Sequence, residues 1–380
     1  MEKLQKYGFI LMLFMILVLY LVSSTELIFS DDTDHEIYHV SVIVDDTTDS
    51  TWQNYKKGME QAAMDYNVDV SFITLYSERN VEEQLDFIKR ESQEEAQAIV
   101  LAAVDSEKVA AGLNAYNNLP PIISIGTQLE SEKVKVSVVS KGREIGEKLG
   151  QLIVEDIKRE YDKWTLNMEI DEELNNDLDK EAHKNQDKNA DNNQDKSADN
   201  NQDKNADKNQ AKNVDAGLYN IPIYIIPGNT KQTSLREKLD GLVNILELNQ
   251  CKYYIKYVED EDIKATMQEA STQSFPQVFV GLDTNILLAM AEEQLYTKEE
   301  RNLKIYGVGY TNFILSSLEK EQLSGIIVEN DYLKGSLSLQ EAVSLIKYNQ
   351  VDPEVILDNF TITPKTVHDP EYEIMLYPIS

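Results

Sequence analysis

The stretch VSVIVDDTTDSTWQNYKKGMEQAA, residues 40–63, decides the fold: an apolar strand pattern runs through Asp49-Ser50-Thr51-Trp52 into a helical pattern. Residues Ile37 to Val44 read as a buried strand, and Trp52, Tyr55, Met59, Ala62, Ala63 and Tyr66 recur at the spacing of one helix face. Val68 to Leu75 is the next strand. Asn80-Val81-Glu82-Glu83 then opens a helix in the manner of a capping box, and Ala98 to Val104 is a continuous apolar strand. Ser106 is expected to cap the following helix, which ends near Asn118 before Pro120-Pro121 launches the strand Ile122 to Gly126. Strands separated by helices pair in parallel, because parallel neighbours need crossover connections. Open sheets of this kind bind small molecules beyond the carboxyl ends of their strands, which is where Asp49 and Trp52 stand.

The rhythm continues with a strand at Val134 to Val139 and a helix from Lys141 to Tyr161, whose Gly146 and Gly150 share a face suited to close packing. It then breaks. From Asn185 to Ala216 run the octads NQDKNADN, NQDKSADN, NQDKNADK and NQAKNVDA, which have too little apolar surface to offset the entropy of ordering. Residues 166–217 are therefore expected to be a disordered insertion. Their Asp-x-Asx spacing lacks the turn glycine and terminal Glu of a calcium loop. Strands at Ile221 to Ile226, Tyr253 to Val258, Val278 to Gly281, Lys304 to Val308 and Gly325 to Glu329, with helices between them, complete a second doubly wound unit.

With 380 residues the chain has room for two such lobes, and its net charge of -31 argues against nucleic acid, whose phosphates require clustered Lys and Arg. Phe9 to Val22 is an apolar run behind Lys3 and Lys6, followed by Glu26, Asp31, Asp32 and Asp34, so the bulk of the chain is expected outside the membrane. The run is shorter than the roughly 20 residues of a comfortable span, as in a cleaved signal peptide, but no Ala-x-Ala site follows it. Ser23 to Phe29 extend it with Glu26 as the one charge, which favours an uncleaved, single-pass transmembrane anchor over residues 1–30. Cys251 is the only cysteine, so neither an internal disulfide nor a lipid-bearing N-terminal cysteine is available.

The histidines His35, His39, His183 and His368 are scattered without metal-ligand spacing, and no nucleophile elbow, phosphate loop or dinucleotide fingerprint occurs. No metal and no cofactor are expected. What remains are polar and aromatic residues at strand ends: Asp49, Trp52, Asp105, Asp283 and Asn330. Carboxylates that accept hydroxyl hydrogens and a ring that covers an apolar sugar face suit a polyol. Taken singly, Asp49 and Asp105 also suit helix caps, and Trp52 suits a core.

From Val40 to Tyr348 the chain resembles the periplasmic binding proteins of the ribose-binding type, relatives of the LacI-type ligand domains. Asp49-Ser50-Thr51-Trp52 and Gly58 stand where that family carries Asn-Pro-Phe-Phe and a helix glycine, and Asp105-Ser106 matches its ligand-contacting Asp-Ser. Gly228 through Ser234-Leu235-Arg236-Glu237 and Gly241 resemble the segment that supplies the family's ligand arginine, which points to Arg236. Asp283 stands at the family's Asn-Asp and Asn330 at its Gln, whereas Gly126-Thr127, Lys141-Gly142 and Thr311 replace family residues that include an Arg and acids.

The resemblance implies two lobes joined by a three-stranded hinge, with crossings near Gly126 to Val134, Asn330 and Asp352 to Leu357. One lobe then comprises 36–127 plus 331–356, the other 128–330 plus 357–380. It also implies a non-enzymatic solute-binding protein that closes on a small polar, sugar-like ligand held by Asp49, Trp52, Asp105, Arg236, Asp283 and Asn330. A membrane permease of an ABC importer or a sensor histidine kinase would be its partner. An enzyme on the same sheet and a scaffold without a ligand are the competing readings, since fold alone does not fix chemistry.

Overall fold

The computed structural model describes residues 36–160, 162, 221–257, 260–271, 277–296, 303–349 and 351–378, together with Tyr7 and 12–17. Each of its sheets has six strands. The first takes β1 (Tyr38–Ile43), β2 (Val68–Ile73), β3 (Ala98–Leu101), β4 (Ile122–Ile125), β5 (Val134–Ser140) and β11 (Glu354–Leu357), in the order β11-β5-β4-β3-β1-β2. The second takes β6 (Ile223–Ile226), β7 (Tyr253–Ile255), β8 (Gln277–Gly281), β9 (Leu303–Val308), β10 (Gly325–Glu329) and β12 (Asn359–Ile362), in the order β12-β10-β9-β8-β6-β7. All pairings are parallel except β10 with β12.

Central strands such as β3 are apolar throughout because helices cover both faces of a parallel sheet. In the first lobe the helices Gln53–Tyr66 and Asp331–Tyr348 close one face, and Val81–Gln93 with Ser106–Asn114 close the other. Asn80 caps the helix Val81–Gln93 by accepting from Glu83 N at 3.1 Å. The next helix is capped by Asp105, which accepts from Lys108 N at 2.9 Å, whereas Ser106 is its first helical residue. That corrects the expected cap by one position.

The helix over 142–160 leaves the first sheet and packs Ile145, Leu149 and Ile153 against the second. Conversely, the helix Asp331–Tyr348 leaves the second sheet and packs Leu339, Ala342 and Leu345 against the first. Glycines make both dockings close: a Cβ on Gly335 would lie 2.1 Å from Tyr55 O, and one on Gly146 would lie 2.0 Å from Lys238 O.

Because β5 is paired with β4 and β11, it belongs to the first sheet, and the chain first crosses at residues 140–142, not between Gly126 and Val134. The expected lobe boundary at 127 is corrected accordingly. The other crossings fall at Asn330, between β10 and its following helix, and at Asp358, between β11 and β12. Of the C-terminal tail, Met375 and Leu376 are buried in the second lobe while Ile374 is exposed. The octad insertion lies outside the described residues. Among the described residues no helix is long and apolar enough to cross a membrane; most of the expected N-terminal anchor, residues 1–30, lies outside the described residues.

Candidate functional site

The carboxyl ends of both sheets face one cavity of about 380 Å³. Asp45 and Asp46, just beyond β1, and Trp52, at the N-cap of the helix Gln53–Tyr66, form its wall in the first lobe. Opposite them stand Asn229 and Gln232 after β6, Asp283 and Asn285 after β8, and Glu329 at the end of β10. Trp52 meets Tyr55 edge to face, with ring centroids 5.3 Å apart, and Tyr55 is anchored by a 2.7 Å hydrogen bond to Ser338 Oγ. The aromatic wall is thus fixed to the helix that returns from the second lobe.

The loop after β6 reaches across to the first lobe. Asn229 donates to Val104 O at 2.7 Å, Ser106 N donates to Lys231 O at 3.1 Å, and Thr233 N donates to Ser106 Oγ at 2.9 Å. Gln232 donates to both Asp45 Oδ2 and Ala103 O, and Asn285 donates to Asp46 Oδ2 at 3.0 Å. Gly228 lets this loop turn, with φ of +75°. A Cβ there would also lie 2.0 Å from Asp283 Oδ2, so only glycine permits the approach.

The floor of the cavity is a buried ion network. Glu329 pairs with Lys238 at 2.6 Å and Lys334 at 2.9 Å, and Lys334 also pairs with Asp331 at 2.8 Å. Burial opposes the charge on Glu329, but the two ammoniums outweigh it and hold the carboxyl well below its usual range. Burial likewise opposes the charge on Lys334, and Asp331 and Glu329 more than reverse it, raising its pKa.

The opposite end has a different balance. Asp45 is pushed up to about 7, first by burial and then by the neighbouring carboxylates Asp46 and Asp283, against the lowering effect of the Gln232 hydrogen bond. Among the described residues no group of His, Cys, Asp and Glu is arranged to hold a metal ion.

Of the residues expected at the site, Trp52 and Asp283 line the cavity. Asp283 also caps its helix through Ile286 N at 2.8 Å. Asp49, Asp105, Arg236 and Asn330 do not line it. Asp49 is exposed and paired with Lys56 at 2.8 Å, which lowers its pKa. Asp105 and Asn330 are helix caps, the latter accepting from Leu333 N at 3.0 Å. Arg236 lies in the first turn of the helix Thr233–Leu248, where its guanidinium folds back onto Thr230 O and reaches Glu107 at 3.2 Å.

Sequence reading passed over Asp45, Asp46, Gln232, Lys238, Asn285, Glu329 and Lys334, all of which line the cavity. A signal existed for the first two, an acid pair directly at the end of β1, nearer the strand than Asp49. For Lys238 and Lys334 none existed, since a helix lysine reads as solvated until its buried partner is known.

A family model described as "Periplasmic binding protein domain" matches residues 40–350. The chain belongs to the periplasmic binding protein family. Solved structures of the same fold include a carbohydrate transporter solute-binding protein from Agrobacterium radiobacter in complex with D-arabinose. It is 15% identical with a TM-score of 0.66, covering 89% of this chain and 98% of that one. An ABC transporter solute-binding protein from Agrobacterium vitis with bound D-fucose is 12% identical at a TM-score of 0.67, covering 89% and 100%. The Caulobacter myo-inositol binding protein, bound to myo-inositol, is 14% identical at 0.62, covering 88% and 95%. At these identities the likeness is one of fold. No curated protein matches the chain by sequence.

Proposed function

We propose that this periplasmic binding protein is a non-enzymatic solute receptor whose lobes close on one small polar, sugar-like ligand in the cavity between Trp52 and Asp283. The observation that carries the reading is the convergence of strand ends from both sheets on that single cavity, with an aromatic wall on one side. A ligand that touches both lobes binds the closed arrangement better than the open one, and that difference in affinity drives closure. Relatives solved with D-arabinose, D-fucose and myo-inositol support the choice of ligand class. The apolar run from Phe9 to Val22 tethers the protein to the membrane, its bulk outside, where the closed form is presented to a membrane permease.

Thermal unfolding with a panel of pentoses, hexoses, cyclitols and their amino derivatives tests this. A ligand at 100 times its Kd stabilises by about 2.7 kcal/mol, and Trp52→Ala should abolish the shift while leaving the protein folded. A panel in which nothing shifts the unfolding transition sinks the reading in favour of a scaffold; turnover of any member would replace it with an enzyme.

A further inference from the structure

We propose that the ligand of the interlobe cavity carries a positively charged amine, as an amino sugar or aminocyclitol does, with its ammonium held among Asp45, Asp46 and Asp283. This rests on the reading of the cavity as a solute site and adds the charge of the solute.

The two ends of the cavity are compensated differently. At the floor, Glu329 and Asp331 are matched by Lys238 and Lys334. At the other end, the described ion pairs include none to Asp45 or Asp46. Their hydrogen-bond donors are neutral: the amides of Gln232 and Asn285, the Thr51 hydroxyl, and the backbone N–H groups of Thr47 and Thr48. Neutral donors occupy lone pairs without cancelling charge. The loop after β2 adds Glu78 and Arg79 to the wall, and no ion pair among the described residues joins Arg79 to either acid.

Asp45 and Asp46 come from one lobe and Asp283 from the other, so closure itself assembles the carboxylates. Burial first, then Asp46 and least of all Asp283, raise Asp45 to about 7. A proton relieves the charge on Asp45, and so does an ammonium, which brings donors as well as charge. Trp52 lines the same wall, and an aromatic ring there suits a sugar ring or a cation alike. A neutral polyol would fill the same space and leave Asp45 and Asp46 with neutral donors alone. Because the acids straddle the lobes, a cation prefers the closed arrangement, and charge complementarity becomes part of the closing force.

Titration calorimetry of the full chain at pH 8 with paired ligands tests the idea: D-glucose and D-glucosamine, D-galactose and D-galactosamine, myo-inositol and scyllo-inosamine. At least one amine should bind ten-fold or more tightly than its neutral partner. That preference should shrink below three-fold in Asp45→Asn and, separately, in Asp283→Asn. Neutral members that bind as tightly as their amines, or a preference untouched by both variants, overturn the amine alone. No binding by any member overturns the solute-receptor reading with it.

Discussion

In the first lobe β5 leaves its sheet through residues 140–142, and the helix that follows packs on the second lobe; in the second, β10 leaves through Asn330, and its helix packs on the first. The lobes repeat one strand order and exchange the same helix, yet the two crossings are built from different materials. The first is followed by exposed charges, with Arg143 and Glu147 3.9 Å apart. The second carries the buried network of Lys238, Glu329, Lys334 and Asp331, with the lysines drawn from helices on opposite lobes. Since Lys238, Glu329, Lys334 and Asp331 also line the cavity, the second crossing is where ligand contact and lobe geometry meet.

Glu329→Gln should break this asymmetry most severely. It leaves Lys238 and Lys334 buried with less of their counter-charge, and loss of one partner from a buried pair typically costs about 3–5 kcal/mol. Urea unfolding measures it, and a loss below about 1 kcal/mol would mean the clamp contributes little to holding the lobes. The pH dependence has a definite sign. The folded-state pKa of Glu329 is lowered, so its contribution is complete above the unfolded value of about 4.3 and is lost as pH falls towards the folded value. That of Lys334 is raised, so its contribution is complete below about 10.4 and is lost as pH rises through the folded value. The difference between wild type and variant should therefore be flat between roughly pH 5 and pH 10.

The exchanged helices make a closer comparison. Gly335→Ala and Gly146→Ala each force a methyl against a backbone carbonyl, 2.1 Å from Tyr55 O in one lobe and 2.0 Å from Lys238 O in the other. Each should destabilise by about 1–3 kcal/mol, read as a fall in the urea midpoint. Similar costs would confirm that the exchange is equivalent on both sides, and a cost confined to one lobe would break the equivalence.

What could be read from sequence follows the range of the interaction that decides it. β3 and the Asn80 cap are local, an apolar run and a side chain three residues from its donor, and both were legible. The membership of β5 was not: the resemblance put the first crossing before it, between Gly126 and Val134, whereas its pairing with β4 and β11 keeps it in the first sheet. At the site, Trp52 and Asp283 were legible as polar or aromatic residues at strand ends. Asp49, read as an acid at the end of the first strand, instead turns its carboxylate out to Lys56 in solvent, while Asp45 and Asp46, nearer the strand, line the cavity.

Tyr55→Phe is a smaller probe of the same interlobe helix. The phenol loses its 2.7 Å bond to Ser338 Oγ, but that hydroxyl keeps its 2.9 Å bond to Gly335 O, so no buried group is stranded. A loss of about 1 kcal/mol in urea unfolding is expected, with the Trp52 wall still in place. A loss above about 3 kcal/mol would show that the hydroxyl orders more of the cavity than one hydrogen bond explains.

The smallest effect is expected at the residue that family resemblance ranks among the most important. Arg236 bridges the lobes only through Glu107, and their side chains are 40% and 80% exposed, so water and salt screen the pair. Its remaining bonds run to Thr230 O, Lys231 O and Thr233 Oγ1 of its own loop, and its guanidinium does not reach the cavity lining. Arg236→Ala should change stability by less than about 1 kcal/mol and leave ligand affinity within about two-fold, measured by urea unfolding and calorimetry. A ten-fold loss of affinity would mean that the guanidinium turns into the cavity when ligand is bound. The loop Gly228 to Ser234 would then be a movable part of the site, and the charged clamp at the second crossing would no longer be the one place where ligand contact and lobe geometry meet.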